Sequence, residues 1–154
     1  MGDARAGRLF AEGVAFHKQG LLAEAAQAYA AACEADPAHV GARFNLAVAL
    51  HSQGLDAEAE RAYLRALAVK PDLVQALNNL ANLLLAHERV AEALEALMRA
   101  TELAPGFAPP WNNLGNALLR MGRTQEAAAR FAKALEIDAA FHEARGNLGR
   151  ALLT

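Results

Sequence analysis

The sequence predicts an all-α protein, a solenoid of stacked antiparallel helix pairs, and three observations carry that expectation. Composition is the first. Of 154 residues, 40 are Ala and 24 Leu, against 6 Val, 1 Ile and 3 Thr. Ala and Leu suit helices, whereas the β-branched types that favour pleated sheets are scarce. The second is an internal period: Pro37, Pro71 and Pro105 stand 34 residues apart, and Ala139 holds the next place. The third is that each period contains two stretches with apolar residues at helical spacing.

With the prolines at position 32, the units run 6–39, 40–73, 74–107 and 108–141, followed by a terminal helix at 142–154. The whole chain, 1–154, is expected to form one domain of four repeats and a half-repeat. A first helix, A, carries a stripe at positions 4, 7, 8 and 11. Position 8 is small (Gly13, Ala47, Ala81, Gly115, Gly149), and position 11 is large and apolar (Phe16, Leu50, Leu84, Leu118, Leu152). Gly20, Gly54 and Gly122 at position 15 suit a tight turn with positive φ, with Glu88 as the exception. A second helix, B, begins near Glu24, Glu58, Glu92 and Glu126, carboxylates that favour the helix dipole. Alanine holds B positions 20 and 27, while Tyr29, Tyr63, Leu97 and Phe131 hold position 24. Small residues let the two backbones approach, and the bulky ones fill the gaps. Proline at 32 then ends helix B. One hairpin cannot bury its own stripe, so successive hairpins must stack.

These columns resemble the tetratricopeptide repeat family. The fourth unit carries the pattern most fully, with Trp111, Leu114, Gly115, Leu118, Ala127 and Phe131. Arg43 and Arg145 depart from it at the tryptophan position, and Glu12 at a leucine position. The resemblance implies a right-handed superhelix whose concave groove is lined by A helices, mainly at positions 2, 5, 6, 9, 12 and 13.

The candidate site follows from the asparagines. All eight, Asn45, Asn78, Asn79, Asn82, Asn112, Asn113, Asn116 and Asn147, fall at positions 5, 6 or 9 of a helix A. At helical spacing these positions share an arc of about 100°, centred roughly 155° from the packing stripe. Asparagine disfavours helix by about half a kcal/mol relative to alanine, so eight in this column are a costly choice for a merely solvated face. Each carboxamide offers donors and an acceptor in a neutral group. A ladder of them suits the main chain of an extended peptide, which makes a protein or peptide the expected partner. The competing reading is that the amides tie one repeat to the next. The segments FNLAVAL, NNLANLLL, NNLGNALL and GNLGRALL resemble the repeat array of O-linked N-acetylglucosamine transferases, where such asparagines hold acceptor polypeptides. In the first two units positions 5 and 9 are Phe10, Val14, Phe44 and Val48, which predicts an apolar patch there. The family's two-carboxylate clamp is not expected, because its basic columns hold Phe10, Phe44, Gln75, Asn78 and Asn79.

Other chemistry finds little support. A formal charge of −2 argues against a nucleic-acid partner, and no apolar run is long enough to span a membrane. His17 and His51 share position 12 without further ligands at metal spacing, so no metal or other cofactor is expected and both should line the groove or be weakly solvated. Cys33, the one cysteine, reads as a buried inert thiol. No phosphate loop, nucleophile elbow or paired carboxylates mark an enzyme. The expectation is a cytoplasmic interaction module. Two alternatives stand beside it: a scaffold that self-assembles through Leu148 and Leu152 of the terminal helix, and a substrate-recruiting arm of a larger enzyme such as a glycosyltransferase.

Overall fold

The computed structural model describes residues 2–153; Met1 and Thr154, included in the expected 1–154 span, lie outside them. Nine helices form among the described residues: α1 Gly2–Lys18, α2 Leu22–Ala35, α3 Val40–Ser52, α4 Asp56–Val69, α5 Val74–Ala86, α6 Val90–Leu103, α7 Ala108–Arg120, α8 Thr124–Ile137 and α9 His142–Leu152. No strand appears among those residues. Odd-numbered helices are the A helices of the sequence register and even-numbered ones the B helices. The chain divides into two compact units, 1–76 and 77–154.

In the N-terminal unit α1 packs on α2, α2 on α3 and α3 on α4. Ala25, Ala26, Tyr29 and Ala49 are buried there beneath Phe10, Val14, Phe16, Leu46 and Leu50. In the C-terminal unit α6 meets α7, α7 meets α8, and α9 packs on both α8 and α7. Ala108, Ala134 and Ala144 form one buried cluster there, covered by Trp111, Leu135, Ile137 and Phe141, and Leu83, Leu97 and Phe131 are also almost wholly buried.

The small residue at position 8 has a direct cause. A Cβ on Gly13 would lie 2.6 Å from Tyr29 Cε1, and one on Gly115 would lie 2.5 Å from Phe131 Cε1. Tyr29 and Phe131 are almost wholly buried, so the aromatic of helix B sits directly on the backbone of helix A. At Gly149 a Cβ would meet nothing within 4 Å.

All four A-to-B turns close in one way. The residue at position 15 is left-handed: Gly20 (φ 76°), Gly54 (74°), Glu88 (59°) and Gly122 (73°). The amide that follows it reaches back five residues, as in Leu21 N to Phe16 O (3.0 Å) and Arg89 N to Leu84 O (2.9 Å). That bond satisfies a carbonyl at the helix end. Each helix B then starts with an acidic first turn. The Arg89 and Arg123 side chains hydrogen-bond Glu92 and Glu126 at 2.7–2.8 Å and hold both carboxyls below the usual range.

The B-to-A turns explain the departures at the tryptophan position. Trp111 Nε1 donates to Pro105 O at 3.0 Å. Arg43 Nε donates to Pro37 O, and Arg145 Nη2 to Ala139 O, each at 2.6 Å. In all three turns the position-4 side chain donates to the carbonyl six residues earlier. Arginine therefore performs the backbone contact that tryptophan makes.

Candidate functional site

The structure sorts the eight asparagines by their place along the A helices, so that both expected roles, tying repeats together and facing the groove, fall to different members of the set. Asn78, Asn112, Asn113 and Asn147 are buried, with Asn112 only 1% exposed. Asn45, Asn79 and Asn116 are half-buried, and Asn82 is exposed. The reason lies in register: in the C-terminal unit position 5 of one A helix meets position 6 of the next, whereas position 9 opens away from that contact.

In the C-terminal unit the buried amides form a connected chain. Asn147 Nδ2 donates to Asn112 Oδ1 (2.9 Å), Asn112 Nδ2 to Asn113 Oδ1 (3.5 Å), and Asn113 Nδ2 to Asn78 Oδ1 (2.8 Å). Two charged residues attach to it. Arg150 Nη2 donates to Asn147 Oδ1, and Asn112 Nδ2 also donates to Glu143 Oε1 at 3.0 Å. Every amide in the middle of the chain both accepts and donates, which is what burial of such a group requires. This fixes α5, α7 and α9 in register within the unit.

Beside this chain runs a groove of about 780 Å³ lined by Asn78, Asn82, Asn112, Asn113 and Asn116. The side chains of Asn82 and Asn116 make no hydrogen bond among the described residues, so their carboxamide donors and acceptors are open. Arg120, Glu143 and Arg150 also line it, and sequence reasoning missed them as site residues. Arg120 is engaged: its Nη1 bonds Leu85 O (2.7 Å) and Glu88 Oε1 (2.8 Å). A signal for Arg150 was present, since it occupies position 9, the column of Asn82 and Asn116.

The N-terminal unit differs. The expected apolar patch is partly used up in packing: Phe10 stacks within 5.8 Å of Tyr29 and 4.9 Å of His39, and Phe44 within 6.3 Å of Tyr63. Both phenylalanines are half-buried. Asn45 hydrogen-bonds Tyr29, a contact that partly offsets the upward push of burial on that phenol. His17 and His51, expected to line the groove or be weakly solvated, are half-buried and lie against helix-B tyrosines. His17 lies 6.3 Å from the Tyr29 ring, and His51 Nδ1 is 3.4 Å from Tyr63 Oη.

Cys33 is half-buried rather than buried, in a recess of about 270 Å³ with Arg43 and Arg65. Burial pushes its thiol up, nearby Asp36 adds to that, and Arg43 opposes it, so the sulfur stays protonated near neutral pH. Among the described residues no three His, Cys, Asp or Glu gather to hold a metal, and no helix is long and apolar enough to cross a membrane.

Fold and groove together define a helical-hairpin repeat protein with an amide-lined channel. The chain belongs to the tetratricopeptide repeat family, whose models match residues 10–72, 57–106 and 108–141. No curated protein sequence matches it. Among solved structures it is similar to PilF of Pseudomonas aeruginosa, at 25% identity with a TM-score of 0.88, covering 99% of this chain and 69% of that one. MamA of Desulfovibrio magneticus RS-1 matches at 18% identity and a TM-score of 0.88, covering 97% and 84%. YrrB, described as a TPR protein with an unusual peptide-binding site, matches at 23% identity and a TM-score of 0.79, covering 94% and 75%.

Proposed function

We propose that this protein is a non-catalytic interaction module that holds an extended polypeptide in the groove of its C-terminal unit, gripping the main chain with Asn82 and Asn116. The observation that carries the reading is the division of labour among the amides. The buried ones satisfy each other, while Asn82 and Asn116 keep unpaired donors and acceptors facing the channel. Helices packed 8–10 Å apart put successive position-9 amides about three extended residues apart. Each could then bridge an N–H and a C=O of a passing strand, whatever its sequence. Asn78, Asn112, Asn113 and Asn147 act as the frame of this groove, while Asn45, Phe10 and Phe44 belong to the N-terminal unit and are not part of it. The resemblance of the A-helix segments to the array of O-linked N-acetylglucosamine transferases supports this mode of grip, as does the peptide-binding site of YrrB. A recruiting arm of a larger enzyme would use the same groove. The cytoplasm is the compartment we infer from the single cysteine.

The test is capture of an acetylated, amidated nonapeptide library by the full chain. Asn82→Ala with Asn116→Ala should reduce capture at least tenfold, about what two lost hydrogen bonds imply. Helicity by circular dichroism should hold or rise, since alanine is the better helix former. Undiminished capture by the double variant would overturn the reading.

A second reading, self-assembly through the terminal helix, has one observation of its own: Leu152 at the end of α9 and Leu153 just beyond it are 71% and 89% exposed.

A further inference from the structure

We propose that the groove reads an acidic side chain, Asp or Glu, on the bound strand through Arg150, about three residues beyond the peptide group held by Asn116. This rests on the peptide-binding reading above and adds the ligand's chemistry to it.

Arg150 continues the position-9 column one helix further: Asn82 on α5, Asn116 on α7, Arg150 on α9. All three border the same groove. A strand long enough to pass both amides therefore arrives at a guanidinium. At about 8–10 Å between packed helices and about 3.3 Å per extended residue, the offset is about three residues.

The charge there is unbalanced. The described partner of Arg150 is the neutral Oδ1 of Asn147, and no carboxylate pairs with it among the described residues. The second arginine of the groove is already committed, with Glu88 and the Leu85 carbonyl as partners. The groove's own acid, Glu143, is tied to Asn112. Arginine presents five donors in a planar fork that fits a carboxylate, and one bond to Asn147 leaves most of them unused.

The guanidinium is also held in place. Its anchor, Asn147, is buried and bonded to Asn112, which is bonded in turn to Asn113. An arginine fixed by such a frame loses less side-chain freedom on meeting its ligand than one waving in solvent. Glu143 on the same groove disfavours a second acid at its own column, which makes the preference specific to one place on the strand.

The experiment uses acetylated, amidated nonapeptides with Glu, Gln or Lys fixed at each place in turn, so that a side-chain carboxylate is the only anion. The full chain should capture Glu over Gln peptides by about five-fold at one place, the value of a modest ion pair. That ratio should fall toward one as salt rises from about 50 mM to about 500 mM. Arg150→Gln should erase the preference while Gln peptides are still captured, and Arg150→Glu should transfer it to Lys peptides. Should either variant lose its helicity, the salt response of the unaltered chain decides. Equal capture of Glu and Gln peptides, a salt-independent ratio, a preference that survives Arg150→Gln, or one that appears only with a free C-terminus overturns this inference alone. Failure to capture any peptide overturns it together with the peptide-binding reading.

Discussion

A single hydrogen bond to a backbone carbonyl accounts for the most conspicuous departure of this sequence from its family. Arg43, Trp111 and Arg145 differ in shape and charge, yet each gives an N–H to the carbonyl six residues earlier. What the position requires is a long side chain with a donor near its end, not an indole. Arg43→Met keeps length and loses the donor, and should lower the unfolding free energy by about 1 kcal/mol. Arg43→Trp restores a donor and should recover most of it. Equal urea midpoints for both variants and the parent would show that the bond contributes nothing. From sequence, Arg43 read only as a departure from the tryptophan position, because a column of letters records residue type and not the group that a residue offers.

Among the elements, the turn after each A helix was legible in advance and the rungs of the ladder were not. Glycine in three of four turns announced a left-handed residue, and the fourth adopts the same conformation with Glu88 at φ 59°. A non-glycine residue there costs about 1 kcal/mol, and its exposed pair with Arg120 returns less than that. Glu88→Gly should therefore stabilise the chain by about 0.5 kcal/mol in urea unfolding. Glu88→Ala keeps the strained backbone, loses the ion pair, and should fall below the parent. The asparagine columns pointed to one face of the A helices. They could not show that in the C-terminal unit position 5 of one A helix meets position 6 of the next while position 9 stays open. That distinction depends on distances between helices some 35 residues apart in sequence, as in Asn78 to Asn113.

For the whole molecule, the 34-residue period carried most of the fold: α2 to α9 fall where the register puts them, while α1 starts at Gly2, ahead of the first unit at residue 6. The apolar inventory was less informative about surfaces. Phe10 and Phe44, which sequence offered as a docking patch, spend much of their area on Tyr29 and Tyr63. Leu152 and Leu153, by contrast, remain largely in water. If α9 mediates self-association, light scattering should show mass rising with concentration, and Leu148→Glu combined with Leu152→Glu should return it to that of a monomer. A mass that stays constant across concentrations removes that role.

The amide chain from Arg150 to Asn78 has a sense of direction: each link hands a proton donor forward and takes one from behind. Substitution within it is consequently unequal. An aspartate could receive but not pass on, and a lysine could pass on but not receive, so either would break the relay although both are as polar as the residue replaced. The inner rungs demand a side chain that both donates and accepts: serine and threonine do so but are shorter than asparagine, and glutamine is a methylene too long for a 2.8 Å fit. Tolerance at these sites is thereby set by which way hydrogen atoms point, a property that neither size nor hydropathy predicts.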